Sequence, residues 1–113
     1  MDALFDKTIE MLSGVLDFQS QRHKVIASNI ANIDTPNYRP KDIVFKEELK
    51  TLISNKNMVK IDKTDFEVID TGEMVDLDSE MAKLAENNLM HNLTVELLAR
   101  KFSGLNTVLK EIK

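Results

Sequence analysis

Apolar side chains recur at alternating spacings of four and three residues in two long stretches, one near each end of the chain. The first stretch has the seam Phe5, Ile9, Leu12, Leu16, Gln19, His23, Ile26, Ile30 and Ile33. The second has the seam Leu77, Met81, Leu84, Asn88, His91, Val95, Leu98, Phe102, Leu105, Leu109 and Ile112. This spacing is typical of a helix that turns one continuous stripe toward a neighbouring helix. Each stretch therefore predicts a long helix.

These stretches predict a mainly α chain that forms one structural domain. An N-terminal long helix covers residues 1–33, a turn and an irregular, extended middle segment cover 34–75, and a C-terminal long helix covers 76–113. We expect the two helices to pack as an antiparallel, coiled-coil-like pair.

The N-terminal helix carries more apolar surface than one partner would cover. A second apolar set adjoins its seam, formed by Leu4, Met11, Val15, Phe18 and Val25. We therefore expect this helix to have more than one neighbour. Gly14 costs a helix up to about 1 kcal/mol relative to alanine, and it permits close approach of another segment.

The polar interruptions of the two seams suggest how the helices align. In an antiparallel pair, opposite residues keep a constant sum of residue numbers, and placing Phe5 opposite Leu105 puts Gln19 opposite His91. His23 then lies within one residue of Asn88. We expect a buried polar layer that disfavours slipped alignments, because a slip leaves polar groups without partners. The alternative is that all four residues face solvent or another subunit.

The middle segment shows little periodicity. Asp42 is a candidate N-cap for a short helix whose apolar face would be Phe45, Leu49, Leu52 and Ile53. Alternation with polar residues indicates a weak hairpin across residues 62–65, with disorder as the alternative; its arms would be Val59 with Ile61 and Phe66 with Val68. Such a segment between two periodic helices is more typical of an assembly contact than of a core.

Turn chemistry separates the first helix from the middle segment. Pro36 and Pro40 disfavour helical backbone at the residues before them, so we expect the helix to end between residues 33 and 35. Asn37 tolerates positive φ, which leaves a type I or a type II turn open. We expect the turn to direct the middle segment away from the helix and to present the Tyr38 ring and hydroxyl to a neighbour.

Composition and charge narrow the function classes. The 113 residues are 42% hydrophobic and 30% charged, with a net charge of -4 and mixed signs, so we expect no nucleic-acid partner. The absence of cysteine excludes disulfides and thiolate zinc sites. Met11 to Leu16 is too short for a signal core or a membrane span.

No catalytic, cofactor or metal site is predicted. The chain has two histidines, which do not make a convincing metal site by themselves. Asp76, Asp78 and Glu80 resemble the start of a calcium loop, but Met81 stands where that loop requires glycine. Helix capping by Asp76 or Asp78 is the better interpretation. We expect no small-molecule substrate and no enzymatic activity.

Three short motifs carry a family resemblance. The run from residue 27 to residue 38, which contains Asn29 and ends in A-N-I-D-T-P-N-Y, resembles the N-terminal signature of bacterial flagellar rod and hook proteins, A-N-x-x-T-P-G-Y, with asparagine at position 37 in place of the usual glycine. V-D-L-D-S-E-M at 75–81 and K-F-S-G-L at 101–105 resemble the C-terminal helix of the proximal rod proteins. Residues 70–74 depart from the usual D-G-N-N approach to that helix.

The resemblance implies a set of motif and assembly residues. They are Asn29, Ala31, Asn32, Thr35, Pro36, Asn37, Tyr38, Asp76, Leu77, Asp78, Glu80, Met81, Phe102, Gly104 and Leu105.

The resemblance further implies a structural subunit of the flagellar basal body rod. Such a subunit assembles into a helical tube at the membrane-proximal, periplasmic end of the rod and leaves the cell by type III export without a cleaved signal peptide. The implied partners are other copies of the chain, other rod proteins, and the rod-base, export-gate and MS-ring components. The alternative, which the periodicity alone leaves open, is a soluble coiled-coil adaptor or a dimeric regulatory protein.

Overall fold

The computed structural model describes the backbone of residues 3–111 and the side chains of residues 6–104. Two long helices, α1 (Ala3–Ala31) and α3 (Leu77–Glu111), enclose a middle segment that contains β1 (Lys41–Phe45), α2 (Glu47–Ser54), a short 3-10 turn (Lys63–Asp65) and β2 (Phe66–Asp70). The molecule is elongated, with principal extents of 64 × 26 × 18 Å. Within residues 3–111, no helix combines the length and the apolar character needed to cross a membrane.

The predicted mainly α fold is confirmed. α1 and α3 run antiparallel, since Gln19 of α1 contacts Thr94 and Asn29 contacts Glu80 of α3. α1 ends at Ala31, slightly earlier than predicted, and the side-chain amide of Asn32 donates to the Ser28 carbonyl, 2.8 Å away. The carboxylate of Asp76 accepts a hydrogen bond from the backbone N–H of Ser79 at 3.3 Å and so caps the start of α3.

α1 has more than one neighbour, as its wide apolar surface predicts. Besides α3, it contacts the sheet, because the Phe18 ring stacks on Phe45 with ring centroids 4.1 Å apart and meets Phe66 edge-on at 5.3 Å. Gly14 lies directly against Ile61, where a Cβ atom would stand 2.4 Å from the Ile61 carbonyl oxygen. The predicted close approach at this glycine is therefore present, and its partner is the middle segment.

The predicted hairpin is wrong in its pairing. β2 pairs antiparallel with β1, from Lys41 opposite Asp70 to Phe45 opposite Phe66, and neither Val59 nor Ile61 lies in a strand. Ile61 is buried at Gly14 instead, so burial against α1 prevails over local alternation.

The predicted N-cap of the short helix is also wrong. Asp42 lies within β1, and α2 follows Lys46, which makes no side-chain capping bond. Phe45 therefore belongs to the strand, where it stacks on Phe18, and Leu49 is the buried residue of α2.

The middle segment contributes to the core, contrary to the expectation of an assembly loop. The buried apolar residues among those described are Ile26, Ile43, Leu49 and Ile61. All but Ile26 come from the middle segment. Because α3 leaves part of the wide apolar surface of α1 uncovered, the sheet and the Ile61 region cover it.

The predicted seam of α3 is displaced around the helix. The residues that α3 turns toward α1 keep the four-three spacing but include three polar, buried positions, Glu80, Asn87 and Thr94. Leu84, His91 and Leu98 are half-buried members of the same face. The predicted seam residues Leu77, Met81, Val95 and Phe102 are instead between 44% and 49% exposed. Gln19 and Asn29 of α1 form hydrogen bonds with this polar face. These hydrogen bonds determine which face of α3 is turned toward α1.

On α1 the predicted seam is closer to what the structure shows. Ile26 is buried, whereas Ile9, Leu12, Leu16, Ile30 and Ile33 are half-buried. Phe5, Leu105, Leu109 and Ile112 lie outside the residues whose side chains are described.

Candidate functional site

Asn29 links the N-terminal helix to the C-terminal helix through a side-chain amide whose donors and acceptors are all hydrogen-bonded. Its Nδ2 donates to the Lys41 carbonyl at 2.7 Å and to Glu80 Oε2 at 2.9 Å. Its Oδ1 accepts from the Lys41 backbone N–H at 3.0 Å and from the Tyr38 hydroxyl at 3.1 Å. Both donor hydrogens and both acceptor positions of the amide are therefore satisfied. One residue thus links α1, the turn, β1 and the first turn of α3.

Glu80 connects the N-terminal motif to the C-terminal one. Its side chain is 2% exposed, and Lys83, one helical turn later, places its Nζ 3.5 Å from Glu80 Oε1. A buried carboxylate requires such partners, because its transfer from water is costly without them. The structure therefore gives Glu80 a contact with Asn29 in addition to its place in the first turn of the helix.

Residues 35–38 form a type II turn. The Tyr38 N–H bonds the Thr35 carbonyl at 3.2 Å, and Asn37, the third residue, has φ of 62°. Positive φ at this position distinguishes type II from type I. The Thr35 hydroxyl also donates to Asn32 Oδ1 at 3.1 Å. Asn37 thus adopts the backbone region for which glycine is usual, as the sequence departure at this position suggests.

From the sequence we expected Tyr38 to present its hydroxyl to a neighbour, but the structure does not show this arrangement. The hydroxyl donates to Asn29, and the ring is half-buried. The expectation fails because the type II turn folds the chain back over the end of α1. Tyr38 therefore supports the fold of the motif.

A charged cluster ties α1 to the sheet and to α3. Arg22 Nε donates to Asp42 Oδ1 at 3.0 Å, and its Nη1 lies 3.7 Å from Glu86. Burial opposes the charge of Arg22, but the hydrogen bond and the charge of Asp42 outweigh it and raise the arginine pKa above its ordinary value. Asp42 is thus an interior partner of Arg22, a role that its sequence context did not indicate.

The four predicted polar register residues line one cavity of about 380 Å³ between α1 and α3. Gln19 is 5% exposed; its Nε2 donates to Thr94 at 3.1 Å, and its backbone carbonyl accepts from Asn87 at 2.8 Å. These two partners bracket His91 along α3, which agrees with the alignment of Gln19 opposite His91. His91 is half-buried, but His23 and Asn88 are exposed, so the buried polar layer is Gln19 with Asn87 and Thr94.

Sequence reasoning missed Asn87 and Thr94, although a signal for them exists. Each lies one residue before a predicted seam position, Asn88 and Val95, and the pair continues the four-three spacing from Glu80. Choosing the most apolar seam therefore rotated the predicted contact face of α3 by only part of the ~100° that separates neighbouring residues, since Leu84, His91 and Leu98 belong to both faces.

The remaining motif residues lie on the surface. Ala31, Thr35, Pro36 and Asn37 are exposed near the end of α1, and Asn32 is half-buried. Asp76, Leu77, Asp78, Met81, Phe102 and Gly104 are exposed at or along α3. Leu105 lies outside the described side chains. The structure therefore brings Asn29, Tyr38 and Glu80 together and leaves the exposed motif residues available to another molecule.

Comparisons with known proteins agree on one family. A family model described as "Flagella basal body rod protein" matches residues 12–39, which include the end of α1 and the turn. The flagellar basal body rod protein FlgB of Bacillus subtilis (strain 168) is 36% identical over 124 residues, covering 95% of this chain and 96% of the relative. The chain belongs to the FlgB family of flagellar basal body rod proteins.

Other members of the FlgB family match over similar lengths. The FlgB of Borreliella burgdorferi is 32% identical, covering 94% of this chain and 98% of the relative. The FlgB of Escherichia coli (strain K12) is 27% identical, covering 93% of this chain and 94% of the relative. The matches span α1, the middle segment and α3 together. The FlgB family is one of structural rod proteins, and the described residues contain no group of three or more His, Asp or Glu side chains that could hold a metal ion.

Proposed function

We propose that this chain is a structural subunit of the flagellar basal body rod, where it packs with copies of itself and with related rod proteins into an open helical tube. Membership of the FlgB family supports the rod. The exposed apolar surface of α3 is the structural observation that supports packing. The rod-base, export-gate and MS-ring components are proposed partners at the membrane-proximal end.

α3 carries an apolar surface that the chain itself leaves uncovered. We define the outer stripe as Leu89, Met90, Leu93 and Leu97, which are 61%, 48%, 46% and 50% exposed. Leu89, Leu93 and Leu97 follow one another at intervals of four residues, and Met90 stands seven before Leu97, so all four share one face. Large apolar patches of this kind on soluble proteins mark surfaces that bind other proteins.

The polar contact between α1 and α3 supports a role for the outer stripe in packing between subunits. α3 turns Glu80, Asn87 and Thr94 toward α1 and keeps Leu89, Leu93 and Leu97 outside, which is the reverse of the usual arrangement in an isolated helical pair. Such a rotation leaves the apolar face of α3 for contacts between subunits. The soluble coiled-coil adaptor and the dimeric regulator lack support from the family comparisons.

Substitution of the outer stripe tests this function in cells. In a bacterium that lacks its own copy of the gene, a chain with Leu93→Gln and Leu97→Gln should keep its helicity by circular dichroism but fail to restore rods and motility. Leu52→Gln, at a 42% exposed leucine of α2 outside the stripe, is the matched control and should restore both. Normal rods with the stripe variant would contradict the proposal.

A further inference from the structure

The two-stranded sheet has two outer edges, and hydrogen bonding tells which backbone groups point outward. In an antiparallel pair, residues alternate between those bonded to the partner strand and those turned away from it. The Thr71 N–H bonds the Pro40 carbonyl, and the Lys46 N–H bonds the Asp65 carbonyl. With the observed register, the residues turned outward are Lys41, Ile43 and Phe45 on β1, and Phe66, Val68 and Asp70 on β2.

Side chains close the outer edge of β1. The Asn29 amide binds both the N–H and the carbonyl of Lys41, as a paired strand would. The Ile43 N–H is bonded by the carboxylate of Asp42, 2.7 Å away. Both outward groups of Lys41 and the N–H of Ile43 are therefore bonded already, Ile43 is buried, and the Phe45 ring stacks on Phe18 of α1.

The outer edge of β2 is open. Within the described part of the chain, the backbone N–H and carbonyl that Val68 turns outward find no partner, and the Val68 side chain is 58% exposed. Ile69 is 36% exposed, and the exposed carboxylate of Glu67 forms no salt bridge with any described residue. Open strand edges of this kind accept an added strand through main-chain hydrogen bonds.

We propose that the outer edge of β2 takes residues 58–60 of a second copy of this chain as an added strand. The inference rests on the proposed function, since it names one contact of the self-assembly. Across residues 58–60, no backbone hydrogen bond is formed to any described residue, so these groups are free to pair, while the next residue, Ile61, is buried against Gly14. The added strand brings main-chain donors and acceptors to Val68.

Charge selects this segment among the exposed parts of the chain. The acidic residue of β2 without a salt bridge among the described residues is Glu67, since Asp70 already pairs with Arg39, whereas the proposed donor segment contains Lys60. Lys60 is exposed and, like Glu67, makes no salt bridge among the described residues. An added strand brings opposite charges face to face, which favours pairing across strands.

The donor segment and the acceptor edge are different surfaces of the same chain. Such a contact is head-to-tail, so each copy accepts one strand and donates another, and the arrangement extends instead of closing into a dimer. This geometry matches an open helical assembly. Ile61 keeps its contact with Gly14 inside the donor copy, which holds the segment in place on its own subunit.

Cysteine cross-linking between two chains tests the contact directly, because the natural chain contains no cysteine. A chain with Lys60→Cys is mixed with a chain with Glu67→Cys at rising concentration under mild oxidation, because the charge pairing places these two residues opposite each other. We expect a disulfide-linked heterodimer whose yield rises with concentration. The matched control replaces the second partner with Met74→Cys, a residue 90% exposed outside the sheet, and should give only background.

Charge exchange supplies a second readout. Glu67→Lys alone and Lys60→Glu alone should each abolish the concentration-dependent association, and the double variant should restore it. Absence of the 60–67 cross-link above the control, or no rescue by the double variant, overturns the inference. Cross-linking to another rod protein at residue 67 but not to a second copy also overturns it. Incorporation into rods is scored separately, so failure of the edge contact is distinguishable from failure of the proposed function.

Discussion

At the scale of single residues, the asparagine of the N-terminal motif serves the fold of the subunit itself. Asn29 makes four hydrogen bonds to three separate parts of the chain and is fully buried. Aspartate would lack the two donor hydrogens that reach the Lys41 carbonyl and Glu80. The motif thus fixes where the turn, β1 and α3 meet.

Replacing Asn29 with alanine should destabilise the chain strongly. The change leaves Glu80, Tyr38 and the backbone of Lys41 without their partner, and each unsatisfied buried group costs about 1–3 kcal/mol. We expect the free energy of unfolding in urea to fall by at least about 2 kcal/mol. Asn92→Ala, at an exposed asparagine of α3, is the control and should change little. An Asn29→Ala chain as stable as the natural one would refute this role.

Gly14 and Gly104 provide a matched pair of helical glycines. A Cβ atom at residue 14 would lie 2.4 Å from the Ile61 carbonyl oxygen, whereas at residue 104 nothing lies within 4 Å. Gly14→Ala should therefore lower the melting temperature by displacing Ile61. Gly104→Ala should raise it slightly, because alanine favours helix by up to about 1 kcal/mol. Equal effects of the two changes on thermal unfolding would contradict the close contact at Gly14.

The Arg39–Asp70 pair makes a pH-dependent contribution to stability. Hydrogen bonding from Arg39, joined by the Gly72 N–H, lowers the pKa of Asp70. A carboxyl group with a lowered folded pKa stabilises the fold above its unfolded pKa, and this stabilisation is lost as pH falls through the folded value. Arg39→Gln should move the Asp70 pKa upward in an NMR titration. Asp62, whose pKa is lowered mainly by Thr64, should not move.

At the scale of elements, α1 and α3 are aligned by polar groups. Gln19 donates to Thr94, while the Thr94 hydroxyl donates to the Met90 carbonyl at 2.9 Å. Gln19 Oε1 is buried without a hydrogen bond from any described residue. A polar contact of this kind specifies alignment at a cost in stability, as single polar residues do in coiled coils.

Replacing Gln19 and His91 together with leucine should therefore raise thermal stability and weaken alignment. Thr94 and Asn87 keep their bonds to backbone carbonyls, so the change removes an unsatisfied oxygen and adds apolar contact. We expect a higher melting temperature together with mixed helix registers, seen as extra peaks in NMR spectra. His23→Leu with Asn88→Leu, at exposed positions, is the control. A single register in the Gln19 and His91 variant would count against a role in alignment.

Sequence patterns predicted the long helices and the turn because these depend on local chemistry. The rotation of α3 was missed because its most apolar seam was expected to face α1, whereas Asn87 and Thr94 make that contact. The pairing of β1 with β2 depends on contacts across 20 or more residues, such as Phe18 with Phe45 and Phe66. Alternation along Val59 and Ile61 carries no information about such contacts.

At the scale of the whole molecule, the chain is long and thin, with a core concentrated where α1 meets the middle segment. The outer stripe of α3 and the open edge of β2 remain uncovered, and both are suited to contacts between copies. A subunit with two different uncovered surfaces extends into an open array more readily than it closes into a dimer. This shape agrees with the rod that its family forms.

Electron cryomicroscopy of basal bodies from the parent bacterium tests the central claim most directly. We predict that this chain is found in the membrane-proximal rod as an open helical array, with Leu89, Leu93 and Leu97 buried against neighbouring subunits. The contradicting result is a rod whose density contains no copy of this chain, or copies whose outer stripe faces solvent.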